Sequence, residues 1–259
     1  MGYTDYNTFL MFGDSITEYA FDQYCLSTDI DAPVQFTLGP ALQNIYQRKL
    51  QIIQRGFSGY NSRDAVPLAK SILKTEHDNL PDSKKIKIAY MFFGTNDARL
   101  IGNSPLNNES MPLERFIPQM KEAVKEFTSR NIPLIVIAPG VHVAKDWDKS
   151  QPDDLITGDY RTNERNKLYQ DTLKEIITDV PVLGLYDLMM DWINEKPNER
   201  SCSDLLCDGI HFSGKGYKLM FDALLATIKK HYPECHPDNL PYRFPYHADL
   251  KDDTFANID

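Results

Sequence analysis

The chain has 259 residues, 42% hydrophobic and 25% charged, which is enough apolar material for a sizeable core and argues against disorder. Its formal net charge of -9, with no basic cluster beyond Lys84, Lys85 and Lys87, excludes a nucleic-acid partner, since phosphate binding needs concentrated positive charge. The first apolar stretch, Phe9 to Phe12, is too short for a signal-peptide core or a membrane span, so the expected location is cytoplasmic.

In chain order, Thr8 to Phe12 reads as a strand, and Gly13, Asp14 and Ser15 follow it at a turn. A serine there is either a nucleophile exposed at the end of a strand or an ordinary N-cap in a turn. A helical period runs from Leu38 to Leu50 and a second strand from Leu50 to Gln54. The loop after it, Arg55 to Tyr60, contains Gly59, whose backbone N–H can approach a ligand where a side chain would block. Next come a helix over Ser62 to Leu73 and a third strand over Ile86 to Phe93, which ends in Gly94, Thr95, Asn96 and Asp97. An Asn96 amide can donate to a developing oxyanion, whereas Asp97 reads as a cap or a brace for the loop.

A strong helical period spans Leu113 to Ser129, followed by a fourth strand from Ile132 to Ala138. The polar segment from Asp146 to Tyr160 is expected to form a long loop or short helix at the functional edge and a wall of the pocket; His142 is a weaker candidate for the same wall. Arg161 and Asn163 read as organisers of a loop or of the helix from Asn163 to Ile177. After a last strand, Val180 to Leu185, Asp208 lies three residues before His211. At that spacing a carboxylate can fix the imidazole tautomer and leave the other nitrogen free to take a proton from a serine. The blander reading is a loop leading to Ser213, the expected cap of a helix over Lys215 to His231.

From Tyr232 on, prolines interleaved with Tyr242, Phe244 and Tyr246 argue against a regular helix or a central strand. This tail, residues 232–259, is expected to pack on its own domain or on a second subunit in a possible homodimer, within a single domain spanning 1–259. Cys25, Cys202, Cys207 and Cys235 are too few and too irregularly spaced for a disulfide framework or zinc ribbon, so reduced thiols are expected.

Strands that are nearly continuous in apolar residues and alternate with helices imply an α/β protein, a three-layer α/β/α sandwich around a five-stranded parallel sheet. Ligands in such folds sit beyond the carboxyl ends of the strands, where the candidate residues fall. Those blocks, Gly-Asp-Ser, the Gly59 loop, Gly-x-Asn-Asp and Asp-x-x-His, in this order, resemble the signature blocks of the SGNH/GDSL hydrolases. Phe12 to Glu18, Gln54 to Arg63, Phe93 to Ala98, Arg161 to Glu164 and Asp208 to Tyr217 are further similar to fungal isoamyl acetate-hydrolysing esterases, nearly over the full length. The resemblance implies a flavodoxin-like sandwich, hydrolysis of short acyl esters of alcohols, no cofactor and no metal. It also implies Ser15 as nucleophile, His211 as base, Asp208 as its partner, and an oxyanion hole from Ser15, Gly59 and Asn96. A small-molecule ester is then the expected partner. The rivals are an acetylated-sugar or lysophospholipid esterase with the same residues, and a non-catalytic flavodoxin-like binding module.

Overall fold

The computed structural model describes residues 5–29, 31–100, 110–158, 160–244 and 246–251. Five strands, β1 (Thr8–Gly13), β2 (Gln51–Gly56), β3 (Ile86–Phe92), β4 (Leu134–Ala138) and β5 (Val182–Gly184), form one sheet in the order β2-β1-β3-β4-β5. Every pairing is parallel. Successive side chains of a strand point to opposite faces, and here both faces are dry. Leu10 and Phe12 of β1 enter one core, Phe9 and Met11 the other.

Helices α3 (Ser62–Leu73), α4 (Leu113–Thr128) and α7 (Asn163–Ile176) cover the first face through Ala69, Phe116, Met120 and Leu173. The opposite face is covered by α2 (Leu38–Ile45), α8 (Leu185–Asn194) and α9 (Gly214–His231) through Leu42, Met189, Met220 and Leu224. These layers are the expected sandwich. No helix among the described residues is long and apolar enough to cross a membrane.

Helix α2 and strand β5 are both shorter than expected. Helix α2 stops at Ile45 instead of continuing to Leu50, because the chain must reverse into β2 and does so with Arg48 at φ +60. Strand β5 is cut to three residues because Pro181 has no N–H for a ladder and Leu185 already begins α8. The segment after β4 forms two short helices, α5 (Ala144–Ser150) and α6 (Pro152–Thr157). Pro152 starts α6, where its missing N–H is no loss, and Gly158 ends it at φ +76.

The described part of the C-terminal tail lies against the reversal after α2. Arg48 donates to the carbonyl of Phe244 at 2.7 Å, its guanidinium sits over the Tyr242 ring, and Tyr46 donates to the carbonyl of Cys235 at 3.0 Å. Pro245 and residues 252–259 of the expected tail lie outside the described residues.

The strand order reverses between β1 and β3, which opens a crevice at their carboxyl ends. The loops carrying Ser15 and Asn96 leave the sheet on either side of it.

Candidate active site

Ser15 is the first residue of a four-residue helix, α1 (Ser15–Glu18), and its side chain is nearly buried. Asp14 caps that turn by accepting from the N–H of Ile16 at 3.0 Å. The turn is pressed against β2: a Cβ on Gly56 would stand 2.1 Å from the backbone nitrogen of Glu18. Glu18 in turn accepts from the N–H and the hydroxyl of Ser58, at 2.6 and 2.7 Å, and so ties the Gly59 loop to the Ser15 turn. Gly59 itself is at φ +78, a conformation open to glycine and strained for L side chains.

The far end of the chain reaches the same place through a narrow loop in which Leu206 bridges Phe212 and the N–H of Cys207 donates to the carbonyl of His211. Asp208 Oδ1 accepts from the N–H groups of Ile210 and His211, at 3.0 and 2.9 Å. Its other oxygen is 2.7 Å from His211 Nδ1. Burial opposes ionisation of Asp208, but the hydrogen bond from His211 and the two backbone donors outweigh it and hold the carboxyl below its usual range. An ionised carboxylate only accepts, so Nδ1 carries the proton and neutral His211 presents a lone pair at Nε2. That nitrogen is 2.8 Å from Ser15 Oγ. Two residues 196 positions apart thus meet in one hydrogen bond.

Behind the loop stands His142. It is buried, and its Nδ1 is 2.8 Å from the carbonyl of Gly209, the residue at φ +98 between Asp208 and His211. Asn163 clamps the His142 backbone from both sides, accepting from its N–H at 2.8 Å and donating to its carbonyl at 2.9 Å. His142 therefore supports the loop from beneath rather than facing the cavity. Burial holds its pKa below the usual imidazole value. Unfolded chains then take up a proton as pH falls below about 6.5 while the native state stays neutral, so stability is retained above that pH and lost below it. We expect the chemical-denaturation free energy to fall toward pH 5 with a contribution of at most about 1.4 kcal/mol per pH unit from this residue, and His142→Asn to flatten that slope. Identical slopes in the two proteins would remove His142 from the account.

Asn96, in the loop that follows β3, is almost fully buried and its amide is held at both atoms. Its Nδ2 donates to the carbonyl of Tyr60 at 2.9 Å, and its Oδ1 accepts from Arg161 Nη2 at 3.1 Å. Arg161 also donates to the carbonyl of Thr95 at 2.7 Å and lies over the Trp147 ring. Sequence spacing links Arg161 only to its own loop, because its partner is 65 residues away. The neighbouring Asp97 is a brace: fully buried, it accepts from the N–H of Ser62 at the start of α3, and burial pushes its carboxyl up to about 7.

These groups surround a cavity of about 210 Å³. Ser15, Gly59, Asn96 and His211 line its floor; Arg99, Trp147, Gln151, Asp154 and Arg161 line its wall. Trp147 Nε1 donates to Asp154 Oδ2 at 2.8 Å, and Arg99 pairs with the other oxygen of that carboxylate. The segment from 146 to 160 thus does supply pocket wall, through α5 and α6.

Comparison with known proteins finds likenesses along most of the chain. The model of the GDSL-like lipase/acylhydrolase family matches residues 9–224. The chain is 38% identical over 251 residues to the isoamyl acetate-hydrolyzing esterase of Saccharomyces cerevisiae, covering 96% of this chain and 97% of that one. It is 30% identical over 250 residues to the isoamyl acetate-hydrolyzing esterase 1 homolog of Homo sapiens, covering 93% and 87%. Among solved structures, the acetyl xylan esterase AlAXEase superposes with a TM-score of 0.58 at 14% identity, covering 85% of this chain and 99% of that one. A catalytic mutant of an acetylxylan esterase from Geobacillus stearothermophilus gives 0.56 at 15%, covering 88% and 95%. At such identities the structural likeness is one of fold.

Proposed function

This chain belongs to the GDSL-like lipase/acylhydrolase family and is a serine esterase, and on that basis we propose that Ser15 cleaves short acyl esters of alcohols, isoamyl acetate among them, through an acyl-enzyme. The observation that carries the reading is the continuous relay Asp208–His211–Ser15, with its two links of 2.7 and 2.8 Å. His211 Nε2 takes the proton as Ser15 Oγ attacks the ester carbonyl. The resulting oxyanion is met by the Asn96 amide and the N–H groups of Gly59 and Ser15. Collapse expels the alcohol, protonated by His211, and a water then repeats the cycle on the acyl group.

A serine-directed fluorophosphonate tests the assignment: one adduct per chain is expected, on Ser15, with loss of ester turnover in proportion to labelling. An adduct on another residue, or full activity in labelled protein, would falsify it.

The small cavity supports a short acyl group, since pockets for drug-sized ligands are roughly 300–1,000 Å³ and this one is about 210 Å³. Trp147 closes one side of it. Trp147→Ala is expected to raise turnover of a hexanoate ester relative to the acetate ester by about tenfold or more, on the scale that a methylene or two contributes in a closed pocket. An unchanged ratio would place the length limit elsewhere.

A second reading is favoured by the polar wall of Gln151, Asp154 and Arg99, which suits a hydroxyl-rich alcohol such as an acetylated sugar. Turnover of isoamyl acetate, an acetylated xylose and a long-chain ester under the same conditions separates the two readings and the lysophospholipid alternative.

A further inference from the structure

Cys207 directly precedes Asp208, and both its backbone and its sulfur bear on the loop that carries His211. Its N–H donates to the carbonyl of His211 at 2.8 Å, and its Sγ is 3.3 Å from the same oxygen. In the sequence its nearest cysteine is Cys202. The fold brings it instead to Cys25, 182 positions away. Both sulfurs stand over one carbonyl oxygen, that of Phe212, at 3.8 Å for Cys25 and 3.7 Å for Cys207. Both thiols are partly exposed.

The backbone at Cys25 is unusual. Cys25 and Leu26 sit at φ +54 and +61, a region few non-glycine residues occupy, and Leu26 gains no burial there. Asp22 holds the strained turn, accepting from the N–H groups of Tyr24 and Leu26 at 2.9 and 2.7 Å. Its result is to aim the Cys25 sulfur at the His211 loop. Strain with no packing return marks a position held for another purpose.

We propose that Cys25 and Cys207 form an oxidisable dithiol whose conversion to a disulfide withdraws the Asp208–His211 loop from Ser15 and suspends hydrolysis. The oxidant is a peroxide. Cys25 sulfur attacks one peroxide oxygen, the O–O bond breaks, and Cys25 becomes a sulfenic acid as one water leaves. Cys207 sulfur then displaces the hydroxyl, the S–S bond forms and a second water leaves, so two thiols lose two hydrogens and one hydrogen peroxide becomes two waters.

A disulfide brings its sulfurs to about 2.0 Å, far inside their non-bonded contact distance. Closing that bond draws the Cys25 loop and the Cys207 loop together and so pulls on the residue directly before Asp208. A displacement of about 1 Å at a reacting group lowers turnover by about a hundredfold.

The inference rests on Ser15, Asp208 and His211 as the reacting groups, and its test separates the two readings. Reduced protein is treated with stoichiometric hydrogen peroxide, and the cysteines are mapped by mass spectrometry while turnover of a short acetate ester is followed. We expect a Cys25–Cys207 cross-linked peptide, a fall in turnover of about tenfold to a hundredfold, slower fluorophosphonate labelling of Ser15, and full recovery with dithiothreitol. Cys25→Ser is expected to keep the turnover of the reduced protein and to resist peroxide, and Cys207→Ser to resist likewise. Recovery of both cysteines as thiols or as sulfinic acids, a mapped disulfide with unchanged turnover, or equal peroxide inactivation of Cys25→Ser would overturn the proposal. Failure of the reduced protein to label at Ser15 would instead count against the reacting groups, because the cross-link is read without reference to activity.

Discussion

An Asp208→Asn variant is expected to lose about ten-thousandfold in kcat on a short acetate ester while keeping its melting temperature within a few degrees. The effect follows from the two backbone donors. Ile210 and His211 N–H both need an acceptor at the Oδ1 position, so an asparagine must set its oxygen there and its NH2 group where Oδ2 now faces His211 Nδ1. That NH2 can only donate, which forces the Nδ1 lone pair inward and leaves Nε2 protonated toward Ser15. The base is then present in the wrong tautomer. Ser15→Ala removes the proposed nucleophile and is expected to lose about a millionfold, the scale seen when a serine hydrolase loses its attacking group. Paired kcat, KM and melting measurements on both variants check the two together. If Asp208→Asn retained a tenth of the native rate, the carboxylate would have no part in setting the tautomer.

Much of this arrangement is legible in the amino-acid sequence, for physical reasons that can be named. Strands β1, β3 and β4 are buried on both faces, so their sequences are unbroken apolar runs such as Phe9 to Phe12 and Ile88 to Phe93. Because parallel sheets gather ligands at their carboxyl ends, Ser15 and Asn96 stand out by position alone. Helix α8 does not. It follows β5 with no intervening turn residue, so Leu185 reads as part of the strand, although Leu185, Leu188, Met189 and Trp192 have the spacing of one helical face. Contacts between residues far apart in the chain leave no local trace. Nothing around Arg161 signals Asn96, nothing around His142 signals Gly209, and the Cys25–Cys207 pairing depends on where two distant loops cross.

Asn96→Ala is expected to lower kcat by about a hundredfold to a thousandfold with KM little changed, since an oxyanion donor acts mainly once the carbonyl has become tetrahedral. Arg161 is tied to that effect through the orientation of one amide. A guanidinium can only donate, so its 3.1 Å contact identifies the atom of Asn96 that faces it as the oxygen and commits the NH2 group to the opposite side. One hydrogen of that group is taken by the Tyr60 carbonyl; the other is left for the cavity that Asn96 lines. Arg161→Gln removes the fork that grips Thr95 O and Asn96 Oδ1 together, and a lysine, with its compact ammonium, cannot restore both bonds in one plane. Either change is expected to reduce kcat by about tenfold to a hundredfold, a large part of what losing the Asn96 amide does. The double-variant cycle decides the mechanism. If Arg161 works through Asn96, then Arg161→Gln made on top of Asn96→Ala lowers the rate by no more than about twofold further, because there is no amide left to misorient. Losses that multiply instead, or a KM that rises in step with the fall in kcat, would mean that Arg161 touches the substrate directly and that the Asn96 amide is aligned without it.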